Sequence, residues 1–282
     1  MRRLLIGVTG LLGALAGGCN LLVDFSDLPA PKPVSPLGTC KAAPTNTPPE
    51  YELKLGLTFI ENGGGAPSTA MTLRACPIGV SDPLSCTSPL GPDTHPDENG
   101  RAELIVYPQQ NLSASYLPYV RVEKTGGYFP TSILTWPQVK RSAQLPPLIA
   151  ISDTVVDFIV DNTPLEREAD IDQRGHLIVV VTNCDGEPAS NIEVVVDEAY
   201  RDEKTLPFTR GTDAIADFQP RSITDDDGIV VYLALPTSSE IVEVPLMLRD
   251  ATNGQNLFRN PLNVPIRRGE ATMVVVAPQL AG

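Results

Sequence analysis

The stretch that decides the fold is HLIVVVTNCDGEPASNIEVVV, His176–Val196, with SITDDDGIVVYLALP, Ser222–Pro236, downstream of it. Leu177, Val179 and Val181 alternate with their neighbours, as do Ile192, Val194 and Val196. Alternation with a period of two marks strands that bury one face. Gly186-Glu187-Pro188 and Asp225-Asp226-Asp227-Gly228 separate these runs. Glycine supplies positive φ and aspartate bonds its neighbouring backbone, so both clusters read as turns. Gly228 is predicted to need positive φ.

Working outward, the same pattern recurs earlier in the chain. GAPSTAMTLRAC (Gly65–Cys76) matches GEPASNIEVVVD (Gly186–Asp197), and DENGRAELIVYP (Asp97–Pro108) matches DDDGIVVYLALP (Asp225–Pro236). Each half also opens on alternation, Leu53/Leu55/Leu57/Phe59 in the first and Leu177/Val179/Val181 in the second. Short strands at regular intervals with turns between them indicate a β-sandwich, and a pattern present twice indicates two. The expected fold is therefore all-β, two tandem Ig-like or transthyretin-like sandwiches over 50–147 and 173–282. A linker, 148–172, joins them. Within it Val155, Val156, Ile159 and Val160 share one helical face, and Ser152 or Asp153 offers a cap. A short helix is expected there, with a strand as the competing reading.

VVTNCDGEPASNIEVVV and SITDDDGIVVYLALP together resemble the carboxypeptidase-regulatory-like, transthyretin-like domain. In that family a strand, an Asp-x-x-Gly-x-Pro turn, a second strand, Thr-Asp-x-x-Gly and an aromatic-bearing strand recur. The resemblance covers 175–280 and, more loosely, the first half. It implies a sandwich that holds or presents other components, and it implies no activity, since fold alone does not fix function.

The N-terminus carries an address. Arg2 and Arg3 precede the apolar run Leu4–Leu15, and Ala16, Gly17 and Gly18 lead into Cys19. That order is a signal peptide, 1–18, whose apolar run is too short to span a bilayer. Small residues before Cys19 resemble the lipobox of bacterial lipoproteins, which implies lipidation of Cys19 and a membrane held through that lipid. Asn20 in place of Asp implies the outer membrane, with the periplasmic face and the cell surface both open. Lipid anchor and tether together span 19–49. The tether holds seven prolines, Pro29, Pro31, Pro33, Pro36, Pro44, Pro48 and Pro49. Proline fixes φ and removes a donor, so this stretch favours an extended stalk.

Four further cysteines, Cys40, Cys76, Cys86 and Cys184, make an even count in an exported chain and allow three connectivities. Cys76 and Cys86 flank a Pro- and Gly-containing loop, so they are expected to pair, leaving Cys40 with Cys184. A metal set is the weaker rival, because no Cys-x-x-Cys exists and the histidines are only His95 and His176. His95 reads as a solvated loop residue and His176 as a rim position. No catalytic motif, phosphate loop or cofactor fingerprint is present, so no catalytic residue, cofactor or metal is expected. With 34 acidic residues against 21 basic, the net charge is −13, and it becomes −15 once Arg2 and Arg3 leave. Nucleic acid is excluded as a partner. The acidic turns Asp97-Glu98-Asn99-Gly100 and Asp225-Asp226-Asp227-Gly228 offer oxygens to Ca²⁺, against the plainer reading of backbone-satisfying turns.

Tyr107, Tyr116, Tyr119, Tyr128, Phe129 and Trp136 are six of the chain's fifteen aromatics. Exposed together, Tyr116, Tyr119, Tyr128 and Trp136 would stack on a glycan or anchor a peptide; buried, they would be core. The leading expectation is a non-catalytic surface lipoprotein with structural, adhesive or scaffold sandwiches and possible partners in an envelope protein or glycan. A glycan- or peptide-binding lipoprotein is the alternative, and a hydrolase or its regulatory subunit the third.

Overall fold

In the computed structural model, residues 37, 52–61, 69–78, 82–107, 118–123, 127–137, 139, 141–210, 218–219 and 221–277 are described. All of them fall in the compact unit Ser35–Gly282, and the unit Met1–Val34 lies wholly outside them. The signal peptide, Cys19 and all but one residue of the tether are therefore outside the described residues.

The first half contributes β1 (Leu53–Glu61), β2 (Leu73–Pro77), β3 (Arg101–Val106), β4 (Pro118–Val122), β5 (Thr131–Trp136), β6 (Ala143–Gln144) and β7 (Leu148–Ala150). A helix, α1 (Asp153–Asn162), and a π-helical turn (Arg167–Ile171) follow. The second half contributes β8 (Gly175–Val181), β9 (Ile192–Val196), β10 (Leu206–Arg210), β11 (Phe218–Gln219), β12 (Ile229–Leu235), β13 (Ile241–Asp250), β14 (Leu262–Arg267) and β15 (Ala271–Val276). The fold is all-β, with sheets packed face to face.

The alternating positions are buried as their spacing requires: Leu53, Leu55, Leu57 and Phe59 on β1, and Ile192, Val194 and Val196 on β9. Helix α1 forms where its apolar face predicts, with Val156 and Ile159 buried and the Ser152 hydroxyl accepting from Val155 N. Gly100 (φ 73°) and Gly228 (φ 67°) both take positive φ in matching turns.

The two halves share one sheet, which the repeat does not reveal. Eight strands run in the order β11-β10-β12-β8-β15-β5-β4-β2. At its centre β15 lies parallel to both β8 and β5, so that Met273 aligns with Ile178 on one side and Ile133 on the other. One face of this sheet carries β1 with β3, β6 and β7; the other carries β9, β13 and β14. Strand β8 is consequently buried on both faces. Ile178 and Val180 join the core under β1 and α1, while Leu177, Val179 and Val181 join the core under β9 and β13. Parallel strands buried on two sides read as continuous apolar runs, as β8 and β15 do. Tyr232 ties two layers together, its buried hydroxyl donating to the Val194 carbonyl at 2.6 Å.

Candidate functional site

Among the described residues the aromatics do not form an exposed platform, because Tyr119 and Tyr128 are buried. Tyr119 is 1% exposed, Tyr128 2% and Phe129 3%. Tyr119 points to the face of β4 opposite Val120 and Val122 and lies beneath the Cys76–Cys86 loop, packed with Cys76 and Leu84. Tyr128 and Phe129 belong to the core beneath α1, and Phe129 N–H donates to the Ile151 carbonyl. Trp136 is half-buried at the end of β5, its ring edge-on to Phe258 at 4.0 Å. Tyr116 lies outside the described residues. Tyr107 alone of the described members of the group is exposed, at 43%. The group is thus divided among separate clusters, with Tyr128 and Phe129 in the core beneath α1 and Tyr119 beneath the disulfide loop.

Cys76 and Cys86 are bonded, with Cα atoms 5.1 Å apart. Cys184 is also disulfide-bonded, and Cys40 lies outside the described residues. The two histidines differ in setting. His95 is an exposed loop residue, as its sequence context suggests, with Nδ1 3.0 Å from the Met71 carbonyl. His176 is buried inside the second half and is no rim residue. Its Nδ1 accepts from Ala234 N at 3.2 Å, so the neutral ring donates through Nε2 to the Ile171 carbonyl at 3.0 Å. Burial brings its pKa down to about 4. Both ring nitrogens are committed to the backbone, which leaves nothing to serve a substrate.

The acidic turns are likewise engaged. The Asp97 carboxylate accepts from Asn99 N and Arg101 N, both at 2.8 Å, and these bonds hold its pKa below the usual range. Asp225 accepts from Asp227 N, while burial raises its pKa. Among the described residues no three His, Cys, Asp or Glu side chains converge as a metal set.

What sequence reading missed is a band of ion pairs on the open face of β2 and β4. Arg74 and Arg121 stand directly opposite one another in register, a repulsive placement. Glu123 relieves it by pairing with both, and Asp93 grips Arg74 at 2.6 and 2.8 Å. Arg121 also forks onto Glu270, with Nη2 to Oε1 at 2.6 Å and Nη1 bonded to Oε2. Arg267 donates through Nη2 to both Asp82 oxygens at 2.6 and 2.7 Å, and through Nη1 to Glu240. The band thus joins β4 and the disulfide loop of the first half to β14 and β15 of the second. Beneath it the Tyr119 hydroxyl is buried without a hydrogen-bond partner, and that burial pushes its pKa up. The available signal was that charges at 74, 121 and 123 alternate with apolar residues at 73, 75, 120 and 122.

A shallow groove of about 640 Å³ lies on the outer side of β1, lined by Gly56, Thr58, Arg101, Glu103, Gln144 and Pro147 among others. The end of the flexible Gln144 side chain lies over Gly56, in the space a Cβ would take. The groove mixes amide, hydroxyl and opposed charges, and it pairs no nucleophile with a base.

No protein-family model matches the chain, and no curated protein matches it. Among solved structures, the Bacillus anthracis TIE protein is similar over 81% of this chain and 34% of that one, at 13% identity and a TM-score of 0.22. GBS52, the minor pilin in the Gram-positive pathogen Streptococcus agalactiae, is similar over 80% of this chain and 94% of that one, at 10% identity and a TM-score of 0.24. A streptococcal ancillary pilin is similar over 80% and 62%, at 12% identity and a TM-score of 0.24. The chain spans about a third of the first of these proteins and under two thirds of the third.

Proposed function

We propose that this chain is a non-catalytic lipoprotein of the cell envelope whose β-sandwich body serves a structural, adhesive or scaffold role. One observation carries the reading. Polar and aromatic groups of the body are spent on joining its layers: His176 on backbone, Tyr232 on a neighbouring sheet, Arg121 and Arg267 on the union of the two halves. A body so braced suits holding and presenting, and the signal peptide, lipobox-like Cys19 and proline-rich stalk supply an anchor and a standoff. The outer membrane is the proposed site.

Expression in a Gram-negative host with an alkyne-bearing fatty acid tests the anchor. Label on the wild type and none on Cys19→Ser, with the variant moving to the soluble fraction, is the expected result. An unlabelled wild type would overturn it. Titration of the purified body with envelope polysaccharides tests the role, with no heat expected; heat lost on Trp136→Ala would replace it with glycan binding.

A further inference from the structure

Leu37, the one described residue of the tether, docks on the second half of the body, with observations on both sides of the contact. Leu37, in the proline-rich stretch, is 7% exposed and packs into the core beneath β9 and β13. Its carbonyl accepts a hydrogen bond from Cys184 N at 2.9 Å, just past the end of β8. Cys184 is itself disulfide-bonded. Five cysteines exist in the chain, and Cys76 is taken by Cys86, so the partner is Cys19 or Cys40. Disulfides need Cα atoms within about 7 Å. Cys40 follows Leu37 by three residues, a span of at most about 11 Å of chain. Cys19 stands eighteen residues before it. The shorter path closes at far higher effective concentration.

We infer that Cys40 and Cys184 form a covalent staple that takes tension on the anchor into the second half of the molecule and bypasses the first. The bond forms by exchange with a disulfide-bearing oxidant of the exported compartment. Each thiol gives up its proton, a sulfur–sulfur bond forms, and the oxidant's own disulfide takes the two electrons and becomes a dithiol. The closed loop then contains every strand from β1 to β7, helix α1 and β8. A pull on the N-terminus reaches Cys184 through the staple, so β1 is not peeled from its sheet. Leu37 seats the segment and Cys184 locks it. The inference does not depend on Cys19 carrying lipid.

Peptide mapping of the full mature chain under non-reducing conditions should recover a Cys40–Cys184 cross-linked pair. Cys40 and Cys184 recovered as free thiols would overturn the staple alone. A Cys19–Cys184 pair would overturn it together with the lipid anchor. Stretching the same chain between its ends in detergent reads the mechanical consequence. With the staple in place the loop stays closed, and reductant should add roughly 500 Å of contour length, from about 3.5 Å for each enclosed residue. Cys184→Ser should release the same length without reductant. Wild-type chain that extends fully before reduction would overturn the inference, whatever the variant does.

Discussion

At the scale of single residues, His176 shows how burial converts a titratable group into a structural one. Desolvation, only partly offset by the bond to the Ile171 carbonyl and by the Asp172 charge, holds its pKa near 4 against an ordinary 6.5. Between those values the unfolded chain takes up a proton that the folded chain refuses. Its contribution is therefore complete above about pH 6.5 and declines as pH falls toward 4, by about 3 kcal/mol in all. Denaturant midpoints measured from pH 7 to 4.5 should fall in the wild type, and the fall should shrink in His176→Gln. Parallel profiles would contradict this account. Glycine offers a second case. At Gly228 a Cβ would meet the Val181 carbonyl and lie 3.0 Å from Ala189 N, whereas at Gly254 (φ 71°) nothing lies within 4 Å. Gly254→Ala should cost the left-handed penalty alone, about 1 kcal/mol. Gly228→Ala adds backbone displacement, roughly 1–3 kcal/mol more. Equal melting temperatures for the two variants would show that the turn does not press on β8.

At the scale of elements, alternation made β1 and β9 legible, the repeated pattern made β2, β3 and β12 legible, capping made α1 legible, and Asp-x-x-Gly made the turns legible. What alternation concealed is equally particular. In β8 the alternating residues Leu177, Val179 and Val181 suggest one buried face, yet Ile178 and Val180 between them are just as apolar. That unbroken run was the signal of a strand covered on both sides. The union of β15 with β5 had no local signal, because pairing partners more than a hundred residues apart leave no period in either strand. The aromatic cluster failed for a related reason: Tyr119 is covered by a loop whose position depends on the Cys76–Cys86 bond and on Asp82 gripping Arg267. The ion-pair band can be weighed by experiment. Arg121 and Glu270 are 12% and 14% exposed, while Lys54 and Glu103, 3.9 Å apart, are more than half exposed. Glu270→Ala leaves a largely buried guanidinium short of its main partner and should cost about 3 kcal/mol. Glu103→Ala should stay within about 0.5 kcal/mol. Urea denaturation of both variants checks the ranking, and comparable losses would mean that the band is no stronger than an ordinary surface pair.

At the scale of the whole molecule, the shared sheet makes a demand that two separate sandwiches would not. Strands β8, β12 and β15 each send alternate side chains into two cores, so neither core survives removal of the sheet between them. Unfolding should therefore be a single transition. From β1 to β15 the chain runs for roughly 220 residues, which at about 0.7 kcal/mol per residue gives an enthalpy near 150 kcal/mol at the midpoint. If both halves melt together, the calorimetric and van't Hoff enthalpies should agree; if they melt as independent halves, the calorimetric value should be about twice the van't Hoff value. A core truncation sharpens the test. Ile178→Ala opens a cavity only in the core beneath β1 and should cost roughly 2–5 kcal/mol. Because the two cores share their sheet, amide exchange in β13 and β14, on the far side, should accelerate as much as exchange in β1. Acceleration confined to β1, β3 and β7 would show that the halves fold separately and that the parallel pairing of β15 with β5 contributes little. The same outcome would weaken the bracing on which the proposed envelope role rests, since a body that yields one half at a time does not carry a partner as one piece.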